Sequence, residues 1–203
     1  MIDPKLIMAI VFGYLFGSIP FALIIGKVFY KTDIRTKGSG NLGGTNAGRV
    51  LGKTAGISVT VFDVLKATIA ILIVYQFAPQ YAALAGVFAA IGHSYPIFAQ
   101  FKGGKAVSTA AGYLLGAAII VNQVILLFIV PASLFFLILK LTKYASLASM
   151  VAATISIFIA YFATGGDWIF TLNFILIDIL IFYRHRANIK RLMNGTEGKV
   201  TWI

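Results

Sequence analysis

Residues 38–49 read GSGNLGGTNAGR. Gly38, Gly40, Gly43, Gly44 and Gly48 let the backbone take positive φ and approach a ligand with no Cβ in the way. Ser39, Asn41, Thr45, Asn46 and Arg49 supply hydroxyl, amide and guanidinium donors without a negative charge. Successive backbone N–H groups make an anion-binding nest and arginine grips two phosphate oxygens at once, so the stretch has the chemistry of a phosphate cradle. A flexible polar loop between helices would use the same residue types, because glycine with Asn and Ser is ordinary turn chemistry. It is not a Walker A loop, since the GxxxxGK[ST] spacing is absent.

Two further stretches carry polar chemistry. In residues 93–109, Lys102, Gly103, Gly104 and Lys105 stand just before a helix, where backbone N–H groups and two cations can surround an anion. Anchoring by two interfacial lysines explains the same residues. His93 by itself reads as a satisfied, buried histidine. In residues 183–197, YRHRANIKRLMNGTE, His185, Asn188 and, one turn on, Arg191 or Leu192 fall near one face of a helix leaving the membrane. Arg184 and Arg186 flank His185, and like charge nearby favours its neutral form, which suits a general base. A basic interfacial helix drawn to anionic headgroups would look alike. The loops on that side and the tail offer only Asp33 and Glu197 as carboxylates, so no metal site is expected.

Membrane helices are what hold these residues. The 203 residues are 60% hydrophobic and only 11% charged, with a mean hydropathy of +0.93, far outside the balance of a soluble domain. The net charge of +11 follows from the positive-inside bias of membrane proteins, so no nucleic-acid partner is expected. Without cysteine there is no disulfide, thiolate metal site or Cys nucleophile.

Apolar runs predict an all-α integral membrane protein with seven transmembrane helices at 6–29, 54–77, 81–99, 106–122, 124–139, 144–164 and 168–183. The first run has no small-residue cleavage site after it and further spans follow, so it reads as a helix that stays, kinked at Pro20. Residues 106–139 are too long for one crossing, which places a turn at Asn122 and Gln123. With the N-terminus outside and the C-terminus cytoplasmic, 15 of the 17 basic residues lie on the cytoplasmic side. All three polar stretches then share that face. Asp63 and Lys66, three residues apart in the second span, can pair on one helical face, for function or for structure.

Taken in series, GSIPFA at 17–22, the D-x-x-K of Asp63 and Lys66, GSGNLGGTNAGR, GHSYPIFAQFKGGKAVST and YRHRANIKRLMNGTE resemble the bacterial PlsY family of acyl-phosphate:glycerol-3-phosphate acyltransferases over nearly the whole chain. Ala106 and Ser108 stand where that pattern has Gly and Ala, a departure expected to touch only local helix packing. The resemblance implies one membrane-embedded domain over 1–203 in the bacterial plasma (inner) membrane, its active site at the cytoplasmic face. It implies acyl phosphate and glycerol-3-phosphate as substrates, with 1-acylglycerol-3-phosphate (lysophosphatidate) and phosphate as products, and the first acylation of phospholipid synthesis as the setting. It makes Ser39, Gly40, Asn41, Thr45, Asn46, Arg49, Lys102, Gly103, Gly104 and Lys105 phosphate ligands and sets His185, Asn188 and Ser39 at the reacting centre. Asp63, Lys66, His93 and Glu197 become supports, Glu197 against an arginine of the first stretch. No cofactor and no obligatory protein partner beyond the bilayer is expected. No protein nucleophile is needed, because acyl phosphate is already activated. The proton acceptor is either His185 or a substrate phosphate oxygen. A transporter of a phosphorylated metabolite is the alternative, but transporters place binding groups near the midplane of repeated halves, and no repeat is present here.

Overall fold

The first apolar stretch, where the sequence predicts one helix kinked at Pro20, is helical on both sides of a full break. In the computed structural model, which describes residues 2–201, α1 (Pro4–Gly17) starts under the Asp3 carboxylate, which accepts from the Lys5 N–H at 2.9 Å. It stops at Ser18, and α2 (Phe21–Tyr30) resumes after Pro20, whose missing N–H cannot continue the ladder. The eight-residue α3 (Gly44–Leu51) and the 25-residue α4 (Lys53–Phe77) follow, α4 rising about 37 Å. A 3-10 turn leads into α5 (Ala82–Ser94), and a second one, Ile97–Ala99, ends that segment.

α6 (Val107–Ile120) has 14 residues, about 21 Å of rise, too short to cross a roughly 30 Å core without help. The chain turns at 121–123, with Asn122 at φ 53°, and a π-helical turn at Ile125–Ile129 runs into α7 (Val130–Thr142). α8 (Ala145–Ala163) and α9 (Trp168–Arg184) form the next pair, and α9 is bent by 57° from α10 (Arg186–Met193). No strand occurs among the described residues. Among the described residues five stretches are long and apolar enough to cross a membrane, or six when the bent pair counts as one.

Small residues form the seams. A side chain at Gly13 or Gly17 of α1 would strike the backbone of Ala85 or Ala89 on α5. Such close backbone approach is how helices associate where lipid supplies no hydrophobic drive. Tyr113 of α6 stacks on Phe170 and Phe174 of α9 at 4.7 and 5.6 Å and donates its hydroxyl to the Phe170 carbonyl at 2.9 Å. Large apolar side chains such as Phe158, Phe162 and Leu176 face outward, as lipid contact requires.

Candidate functional site

The glycine-rich stretch is half loop and half helix. Gly38 and Gly40 have positive φ (59° and 69°), so the tight turn there uses what only glycine adopts freely. Gly44 and Gly48 serve a different purpose: they lie on α3 against α4, where a Cβ at Gly44 would strike Thr60 and Gly56, and one at Gly56 would strike the Gly48 backbone. That packing fixes the two exposed side chains of α3 at this site, Thr45 and Arg49. Arg49 has no acid beside it among the described residues.

Asn46 does not reach solvent. It is 1% exposed; its Oδ1 accepts from the Ser39 N–H at 2.9 Å and its Nδ2 faces the carbonyls of Ile34, Lys37 and Asn41 at 3.4, 3.2 and 3.1 Å. The sequence reading of Asn46 as a phosphate ligand therefore gives way to that of a staple, because both ends of its amide are committed to the loop backbone. It leaves the Ser39 hydroxyl outside and presents the N-terminus of α3. Arg35 is likewise occupied, as it makes two hydrogen bonds to Asp33 at 2.7 and 3.0 Å.

The second stretch is clamped by the third. Arg184 donates to the carbonyls of Gly104 and Gly103, both at 3.1 Å, and its guanidinium lies 4.9 Å over the Tyr95 ring. The Gly104 N–H donates to the His93 carbonyl at 3.0 Å. Gly104 was expected to offer that N–H to an anion; it is glycine here because a side chain would strike the His93 imidazole, and Gly103 because one would strike the His93 carbonyl and Pro96. Lys102 stays exposed, whereas Lys105 turns inward and donates to Asn188 Oδ1 at 2.6 Å. Ala106 lies in the left-handed region at φ 63°, so its departure from glycine costs backbone strain and not merely packing.

In the third stretch, which the sequence reads as a helix leaving the membrane, a bend falls on His185. Its Nδ1 donates to the Ile181 carbonyl at 2.8 Å, because a carbonyl can only accept, and Nε2 is left as the acceptor. The residue is 3% exposed, and its pKa drops from 6.5 to about 4 through burial first and the Lys105 charge second. Neither flanking arginine holds it: Arg184 goes to the second stretch and Arg186 to the Tyr183 carbonyl and ring.

Glu197 accepts from Asn188 at 2.6 Å, Ser146 at 2.7 Å and Arg191 at 2.7 Å. Its expected arginine from the first stretch is replaced by Arg191, since the turn after Met193 folds the tail back along α10. Burial raises the Glu197 carboxyl, but these three hydrogen bonds outweigh it and hold the pKa below the usual range. Asn188 is thus oriented at both ends, amide to Glu197 and carbonyl to Lys105.

Lys105 lies at the meeting point. Its pKa falls from 10.5 to about 8 through burial, with Glu197 opposing and Arg191, Arg184 and Arg49 adding to the depression. The three stretches therefore join at one end of the bundle around a patch holding four cationic residues and one carboxylate. The sequence reading gives Arg184 only a charge beside His185, not its clamp on Gly103 and Gly104, and does not single out Ser146. Arg184 had a signal, an arginine at the last turn of a membrane helix, whereas Ser146 had none. Among the described residues no group of three metal-ligating side chains occurs.

A model of the family described as glycerol-3-phosphate acyltransferase matches residues 7–195. Relatives of that name include one from Listeria welshimeri, 48% identical with 98% of each chain covered. Another, from Geobacillus kaustophilus, is 45% identical with 96% of each covered. The crystal structure of PlsY (YgiH), an integral membrane glycerol 3-phosphate acyltransferase, in its glycerol 3-phosphate form superposes with a TM-score of 0.85 at 36% identity, covering 97% of this chain and 96% of that one. Its lysophosphatidic acid form gives 0.83 at 34% identity over 96% and 94%. By fold, by sequence along nearly its full length and by the family match, this chain belongs to the glycerol-3-phosphate acyltransferase family.

Proposed function

We propose that this protein transfers a fatty acyl group from acyl phosphate to the 1-hydroxyl of glycerol-3-phosphate, giving 1-acylglycerol-3-phosphate and phosphate at the cytoplasmic face of a bacterial inner membrane. The observation that supports this most is the convergence of Lys105, Arg184, Arg191 and Arg49 on one patch at one end of the helical bundle. Two phosphate-bearing substrates, one with an alkyl chain, suit a cationic patch beside lipid. The seven-span topology, N-terminus outside, belongs to the proposal, with α6 as the short fourth crossing.

Ser39, Gly40, Asn41, Thr45, Arg49, Lys102 and Lys105 are the proposed phosphate ligands, with Asn46, Gly103 and Gly104 shaping the backbone that holds them. The 1-hydroxyl oxygen forms the ester bond to the acyl carbon, the carbon–oxygen bond to phosphate breaks, and phosphate leaves with the electron pair. Cations already in place at that phosphate stabilise the charge that develops there. His185 Nε2 accepts the hydrogen bond of the attacking hydroxyl and aims it. With a pKa of about 4 it is too weak a base to keep the proton at neutral pH, so the proton passes to a substrate phosphate oxygen, whose second ionisation lies near 6. Purified protein given labelled glycerol-3-phosphate and acyl phosphate should yield labelled lysophosphatidate. Product formed from an acyl thioester and not from acyl phosphate would reject the donor.

A further inference from the structure

Two charges lie deep among the helices, outside the cationic patch, and a continuous set of contacts joins them to it. Asp63 and Lys66 of α4 are 0% and 3% exposed, with Nζ 2.7 Å from Asp63 Oδ1. Lys66 also donates to the Ile19 carbonyl in the break between α1 and α2 (2.9 Å) and to His93 Nδ1 (3.0 Å). An ammonium has only donors, so Nδ1 is the acceptor and the imidazole carries its proton on Nε2. His93 then meets Gly104 twice, through its carbonyl, which accepts the Gly104 N–H at 3.0 Å, and through its ring, which fills the space of the absent side chain. The next residue is Lys105, bonded to Asn188.

A buried ion pair is weak support for a fold, because an apolar pair of similar volume often does as well. Stability therefore does not by itself account for Asp63 and Lys66, whereas their geometry does something an apolar pair cannot. An ammonium with three donors fixes acceptors on α4 itself, on the break between α1 and α2 and on α5 in one arrangement. His93 is the acceptor among them that touches the phosphate-binding loop.

We propose that Asp63, Lys66 and His93 are positioning residues that set the register of the 102–105 loop. Asp63 holds the Lys66 ammonium, Lys66 locks the His93 ring against the broken first span, and His93 holds Gly104 by main chain and by shape. The consequence is a fixed place for the Lys105 ammonium against Asn188. The inference rests on the reading of Lys105 as a phosphate ligand, and its effect falls on glycerol-3-phosphate binding before it falls on turnover.

The test uses the full chain in detergent or proteoliposomes. The double variant Asp63→Asn/Lys66→Met removes both charges together and leaves none unpaired. It should melt within a few degrees of the wild type yet raise KM for glycerol-3-phosphate about tenfold or more, with kcat changed less than about threefold. Hydrogen exchange of the peptide containing Gly104 should quicken, a readout independent of activity. His93→Asn keeps an acceptor near the Nδ1 position and should hold KM within about threefold, whereas His93→Leu should match the double variant. An unchanged KM with unchanged Gly104 exchange in the folded double variant would overturn the proposal. So would equal defects in His93→Asn and His93→Leu. If the wild type shows slow Gly104 exchange but no acyl transfer, the functional reading fails and the positioning chain stands.

Discussion

The charge on Lys105 should appear as an alkaline limb in the pH profile. Burial and the neighbouring arginines bring its pKa to about 8, so the ammonium is largely present at pH 7 and largely absent at pH 9. A charge-assisted contact to phosphate contributes about 1.5 to 3 kcal/mol, which makes the neutral form about ten- to a hundredfold weaker. Together these give a fall in kcat/KM of about five- to tenfold between pH 7 and pH 9, read in the free enzyme, because kcat/KM reports its ionisations. Unfolding does not mimic this limb. With the folded pKa below the unfolded one, the unfolded chain binds more protons between about pH 8 and 10.5, so this residue adds stability as pH rises through that window. Steady-state rates at subsaturating glycerol-3-phosphate, from pH 5.5 to 9.5, measure the limb. Lys105→Arg keeps the charge to beyond pH 12 and should lose the limb even where its absolute rate is lower. A limb that survives in Lys105→Arg, or a wild-type profile flat to pH 9.5, would refute the assignment.

Three further outcomes follow from the same geometry. Arg49→Lys should lower catalytic efficiency about ten- to a hundredfold, since a point charge cannot reproduce a two-pronged grip on phosphate; kinetics near wild type for both substrates would reduce Arg49 to a topology charge. Single cysteines at Lys5, Asn122 and Asp167 should react with an impermeant thiol reagent from outside and those at Ser39 and Thr196 should not, whereas labelling of position 122 only from inside would remove the short crossing by α6. His185→Gln keeps a polar group at the bend without a titrating ring and should retain most turnover and the acid limb near pH 6; near-complete loss in folded protein that still binds glycerol-3-phosphate would make His185 the base.

What the sequence makes legible is what depends on neighbours along the chain. Hydropathy places the helices, Pro20 the break and Asn122 the turn, and the spacing of Asp63 and Lys66 puts them on one face, where they pair at 2.7 Å. Partners brought together from distant positions leave no such mark. Nothing in HSYPIF says that His93 will accept from Lys66, 27 residues away, and nothing in NAGR says that Asn46 will spend its amide on three carbonyls. The glycines show the same limit. Turn glycines (Gly38, Gly40) and packing glycines (Gly44, Gly48) look identical in sequence, and only the position of α4 separates them. Glu197 was legible as a support but not its partners, because the turn after Met193 decides which side chains it meets.

Direct transfer with no covalent acyl-enzyme is tested by rapid mixing of purified protein with acyl phosphate alone and then with glycerol-3-phosphate. Direct transfer gives no burst of phosphate in the first mixing and, in the second, one phosphate released for each lysophosphatidate formed. A burst equal to the protein concentration before glycerol-3-phosphate is added would mean that a side chain takes the acyl group first, and would contradict it.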